Sequence, residues 1–265
     1  MQSEAYKITG FTAVISALGF LLRWLQIMQI IDPETGLAEP GRAISYVMVA
    51  VILIAAAVLA VFCVRMKRFY APTEPGEALG GKTFAATALT ILPAVILAAA
   101  GIVRILRANG TAIQLICGAA SMAAAYGVAV IASNVKNPDR GGALRLGSIL
   151  LIVFGGLWLI TVYKSAAADP VLWEYAVEVL AVCAALMAFY QVAGYFFGEA
   201  SPWSSIFFCY FGAFLCVVST VDEHPLADSL CYAASALLLF VWGFLLTVNI
   251  RRSEPAPAEP AEAAE

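Results

Sequence analysis

Charge is scarce in this chain of 265 residues: Asp, Glu, Lys and Arg together make up 12% of it, while 62% is hydrophobic. An ordinary soluble domain carries about twice that share of charge. Histidine is rarer still, with one residue, His224. That excludes a histidine-rich metal centre and the H-E-x-x-H pattern of zinc proteases. The glycine motifs of catalysis are missing as well, with no G-x-S-x-G and no Walker or dinucleotide-binding pattern. Gly80-Gly81-Lys82-Thr83 resembles the end of a phosphate loop, but the first glycine is absent and an apolar segment follows. The six cysteines form no C-x-x-C and all fall in apolar runs, so they read as small packing residues. A net charge of −3 with dispersed basic residues gives nucleic acid nothing to bind.

Long apolar runs are what the chain has, with a mean hydropathy of +0.89. A helix needs roughly 20 apolar residues to cross about 30 Å of hydrocarbon. Runs of that kind fall at residues 8–31, 44–64, 84–106, 112–133, 146–163, 171–197, 204–221 and 226–250. They are too long for strands and show no alternation of apolar and polar positions. The expected fold is therefore all-α, a polytopic transmembrane helical bundle of about eight spans over residues 1–252. Asp32-Pro33, Pro72 to Gly81, Asn109-Gly110, Asn137 to Gly142, Asp169-Pro170, Ser201-Pro202 and His224-Pro225 punctuate the runs. Pro93 predicts a kink within the third span. Residues 253–265, almost wholly Pro, Ala and Glu, are expected to form a disordered acidic tail in the cytoplasm.

Orientation follows from Lys and Arg near the span ends. With the N-terminus inside, the inner side holds Lys7, Arg65, Lys67, Arg68, Lys82, Lys136, Arg140, Arg145, Arg251 and Arg252. The outer side holds Arg42, Arg104, Arg107 and Lys164, so both termini are expected inside, in a plasma or bacterial inner membrane. Arg104 and Arg107 run against the rule. Two weak hairpin repeats also appear, such as Ala13-Val14-Ile15 with Arg23 against Ala94-Val95-Ile96 with Arg104, although a chain this apolar yields chance matches easily. Gly194 with Gly198, and Ala120 with Ala124, are small-xxx-small pairs suited to close helix packing.

Ionisable residues inside spans carry the functional signal, since each costs about 2.5–3.5 kcal/mol on insertion scales. Arg23 is expected about 12 Å below the outer edge and Glu178 about 10 Å below it, matched in depth and opposite in charge. Glu174, one turn before Glu178, sits at the rim. Arg104 and Arg107, with Lys164, Asp222, Glu223, His224 and Asp228, complete an outward-facing polar mouth, to which Gln26 and Gln114 add hydrogen-bonding groups. The expected site is therefore Arg23, Glu178, Glu174, Arg104, Arg107 and Gln26. It would bind or transport a small polar or zwitterionic solute, with arginines on its anionic part and a glutamate on its amine or a coupling proton. A second reading is a non-catalytic subunit or sensor with a structural Arg23–Glu178 pair. A third is a lipid-acting enzyme using Glu174 and Glu178 as acid and base. The carboxylates beside His224 in Asp222-Glu223-His224-Pro225 are of the type that holds a metal, but a lone loop histidine is usually solvated, so no cofactor and no resident metal are expected. The lipid bilayer is the expected partner, and Arg65, Lys67 and Arg68 suit its anionic headgroups.

Overall fold

A computed structural model describes residues 2–30, 43–81, 84–108, 111–166, 172–222 and 224–251, without the side chains of 2–4, 30, 84–86, 138, 165–166 and 172–175. The tail at 253–265, the Asp32-Pro33 turn, Arg42 and Lys82 lie outside these residues. The described chain is all-helical: α1 (Gln2–Ile30), α2 (Ala43–Met66), the single turn α3 (Pro75–Ala78), α4 (Phe84–Leu106), α5 (Ala112–Asn134), α6 (Gly141–Ala166), α7 (Leu172–Phe197), α8 (Pro202–Ser219) and α9 (Leu226–Val248). Eight of these helices are long and apolar enough to cross a membrane, which makes the protein a polytopic helical bundle. Expected and observed spans agree to within a turn or so at most ends. α6 starts earlier than expected, at Gly141, and Arg145 in its second turn fastens this end to α7 as Nε donates to the Phe196 carbonyl at 3.0 Å. α4 runs unbroken through Pro93.

Consecutive helices from α4 to α9 pack side by side, and α9 returns to α4, closing a ring of six. α1 and α2 pack on each other and against α8. α8 and α9 are the most buried spans, whereas α1 and α2 leave most of their surface for lipid. Lipid tails give helices no hydrophobic reason to associate, so backbones approach closely at small residues. Glycine supplies those contacts. A Cβ on Gly101 would lie 2.7 Å from the Gly118 carbonyl oxygen, joining α4 to α5. One on Gly127 would lie 2.5 Å from the Gly147 oxygen, joining α5 to α6. Gly194 and Gly198 serve a different end. Gly198 adopts φ 81°, and the Glu199 N–H bonds the Gly194 carbonyl at 2.9 Å, which is the pattern that closes a helix C-terminus.

At the end of the bundle expected to face inwards, residues 67–81 strap across α9. Tyr70 and Arg251 exchange backbone hydrogen bonds of 3.0 and 2.9 Å, and Asn249 Nδ2 donates to the Ala78 carbonyl at 2.9 Å. Within the core, the Tyr210 hydroxyl lies 2.8 Å from Thr9 Oγ1 and 3.3 Å from Thr247 Oγ1, tying α1, α8 and α9 together. The six cysteines are free, and all but half-buried Cys183 are buried.

Candidate functional site

The polar groups converge at the opposite end, where α8 hands over to α9. Past Ser219 the chain keeps winding: the N–H groups of Thr220, Val221 and Asp222 bond the carbonyls of Cys216, Val218 and Ser219 at 3.2, 3.4 and 3.4 Å. The His224 N–H then bonds the Asp222 carbonyl at 2.8 Å, and Pro225 precedes the first turn of α9. This short connection between the two most buried spans holds the side chains of Asp222 and His224 against the bundle.

Asp222 is only 8% exposed, and Arg23 of α1 only 3%. Arg23 Nε donates to Asp222 Oδ1 at 2.6 Å, while its Nη1 donates to Gln26 Oε1 at 3.1 Å. Gln26 Nε2 donates in turn to Ser45 Oγ of α2 at 3.1 Å. One arginine thus links three elements. Burial pushes the Asp222 carboxyl above the usual carboxylate range, against the opposing pull of the Arg23 guanidinium and of His224.

Glu178, in the second turn of α7 and 6% exposed, faces His224 with Oε1 3.8 Å from Nε2. His224 Nε2 also lies 3.0 Å from the Ser219 carbonyl oxygen, and the imidazole stacks on Tyr232 of α9 with ring centroids 4.9 Å apart. One ligand atom each from Glu178, Asp222 and His224 lie within 4.8 Å of one another. One turn before Tyr232, Asp228 accepts a hydrogen bond from Arg104 Nη2 of α4. Trp158 of α6 packs edge-on against Tyr232 at 4.7 Å and stacks with Phe154 at 5.6 Å. The polar cluster therefore rests on a floor of buried rings. A polar cavity of about 320 Å³ opens at the other end, lined by Gly80, Gly81, Lys136, Asn249 and Arg251, and shares no residue with the cluster.

Four polar atoms of the cluster are buried without a hydrogen-bond partner among the described residues: Asp222 Oδ2, Ser219 Oγ, the Tyr232 hydroxyl and Arg104 Nε. A buried donor or acceptor left unpaired costs about 1–3 kcal/mol, so such groups rarely gather without something to bind.

Of the residues expected at the site, Arg23, Gln26, Glu178 and Arg104 come to this one end of the bundle. Arg107 is exposed just past the end of α4, and Gln114 is half-buried at the start of α5. The side chain of Glu174 lies outside the described residues. Arg23 takes Asp222 as its close counter-ion, and Glu178 enters the same cluster beside Asp222 and His224. His224, expected to be solvated, has a side chain only 10% exposed. The sequence reading missed the burial of Asp222 and the participation of Ser45, Ser219 and Tyr232. A usable signal was present: a connection this short between two long apolar spans leaves its side chains little room to reach water.

Compared with models of protein families, with curated proteins and with solved structures, the chain matches none.

Proposed function

We propose that this membrane protein binds a small polar solute in the cluster formed by Arg23, Glu178, Asp222, His224, Arg104 and Asp228. The observation that carries this reading is the gathering of four buried, unpartnered polar atoms among buried charges from α1, α4, α7, α9 and the α8–α9 connection. A purely structural ion-pair network gains nothing from leaving Asp222 Oδ2 and Arg104 Nε unpaired, whereas a solute with both donors and acceptors satisfies them. Positive-inside counting puts this end outside, so the solute arrives from the external face. The aromatic floor under the cluster fits capture from that side. Passage to the other side would require the Phe154–Trp158–Tyr232 contacts to rearrange.

Two pairs favour a second reading. Arg23–Asp222 and Arg104–Asp228 are buried enough to act as fixed links between helices, as a non-catalytic subunit would need. A ligand-induced thermal shift on detergent-purified protein, wild type beside Glu178→Gln, separates the two. The panel holds amino acids, small organic acids, phosphorylated metabolites, amines, metal salts and lysolipids. Solute binding predicts a compound that raises the melting temperature of wild type and does so far less in the variant. No shift with any compound, together with a large loss of stability in the variant, would establish the structural reading instead.

A further inference from the structure

We propose that Glu178, Asp222 and His224 form a site for a divalent first-row transition-metal ion of the zinc or manganese class. The inference rests on the solute-binding reading and names the chemistry of its occupant. Three donors from two segments, Glu178 of α7 and Asp222 with His224 of the α8–α9 connection, lie within 4.8 Å of one another. Donors bound to one tetrahedral zinc at about 2.0–2.2 Å stand roughly 3.4 Å apart. Closure by about an ångström therefore completes the contact, a movement within reach of side-chain rotation.

Asp222 supplies the independent observation. It is more than nine-tenths buried, Arg23 engages Oδ1, and Oδ2 has no hydrogen-bond partner among the described residues. An oxygen so placed is costly unless a donor or cation meets it. The second oxygen is held in place by the guanidinium on the first, as outer partners orient metal-binding carboxylates.

His224 is held in a similar way. The Ser219 carbonyl oxygen at 3.0 Å and Glu178 Oε1 at 3.8 Å both face Nε2, so Nε2 is the ring nitrogen presented to the cluster, and it binds a metal in the tautomer that carries the proton on Nδ1. Stacking on Tyr232 fixes the ring plane. The unpartnered Ser219 and Tyr232 hydroxyls belong to residues that contact this imidazole and are available to metal-bound water.

Charge and donor type select the ion. As metal ligands, the two carboxylates beside one arginine leave one negative charge in excess, which a divalent cation reverses to one positive. Carboxylate oxygens suit manganese, and imidazole suits zinc, copper and nickel. Magnesium prefers an all-oxygen shell and keeps its waters. Discrimination against magnesium is thus part of the proposal.

The test is equilibrium dialysis of chelator-stripped, tag-free protein in detergent against Zn2+, Mn2+ or Mg2+, with bound metal measured by elemental analysis. The expected result is one Zn2+ or Mn2+ per chain and no Mg2+. Affinity should fall at least tenfold in His224→Asn and in Glu178→Gln, and stay unchanged in Lys136→Gln. Cobalt absorption on wild type, displaced by zinc, provides a readout that does not depend on how well the variants fold. Equal metal content in wild type and both variants would assign the ion to an adventitious surface and overturn the proposal. Absence of metal from wild type, alongside an organic compound that stabilises it through Glu178, would overturn the metal assignment and leave the solute-binding reading standing. Absence of both would overturn the two together.

Discussion

Arg23 and Asp222 lie 199 positions apart in the chain and meet through a 2.6 Å hydrogen bond between Nε and Oδ1, each almost fully buried. The bond fastens α1 to the α8–α9 connection. Removing one partner strands the other charge out of water, a loss of about 3–5 kcal/mol for buried pairs. Arg23→Met should therefore destabilise the protein strongly, and Arg23→Met with Asp222→Asn should recover much of that loss. Denaturation of the two single variants and the double variant measures the coupling.

Towards the other end of the bundle the same helix is tied by Tyr210, whose hydroxyl reaches Thr9 and Thr247. Both threonines also bond carbonyls of their own helices, at Ala5 and Gly243, so neither is stranded by loss of the hydroxyl. Tyr210→Phe should cost only about 1 kcal/mol. Thermal melting checks this, and a drop as large as that in Arg23→Met would show that the tyrosine does more than link the helices.

Two glycine variants should differ in cause. Gly127→Ala places a methyl group 2.5 Å from a backbone oxygen of α6, so the helices must separate, at about 1–3 kcal/mol. Gly198→Ala meets no atom within 4 Å but must hold φ 81°, at about 1–2 kcal/mol. Ser148→Gly, on the face next to Gly147, should not rescue Gly127→Ala, because the obstacle is backbone.

Sidedness is tested by labelling. Pro225 is exposed beside the polar cluster, and Lys136 is exposed at the other end. In intact cells a membrane-impermeant maleimide should modify Pro225→Cys at once and Lys136→Cys only after lysis. The reverse pattern would turn the molecule over, placing the cluster inside.

The spans were legible in the sequence because length and apolarity alone decide whether a helix can cross a bilayer. Arg23 and Glu178 were legible for the reverse reason: a charge within such a run is expensive and must be accounted for. The partner of Arg23 was harder to read. Depth arithmetic favours Glu178, about 10 Å below the outer edge against about 12 Å for Arg23, over Asp222 just past a span end, and says nothing of position around the bundle. Asp222 also lies past the end of α8, where a loop residue would ordinarily reach water, and only the continued winding of residues 220–222 turns it inwards. The same limit hid Gly101–Gly118 and Gly127–Gly147, since helix proximity depends on azimuth, which an all-round apolar helix does not encode.

A density map of the purified protein, prepared with zinc present and resolved well enough to show ordered ions and water, tests the central claim most directly. The account predicts a non-protein feature against Asp222 Oδ2, bounded by Glu178 and His224. Asp222 Oδ2, Ser219 Oγ and the Tyr232 hydroxyl paired with neighbouring side chains, with no space or density among them, would contradict it.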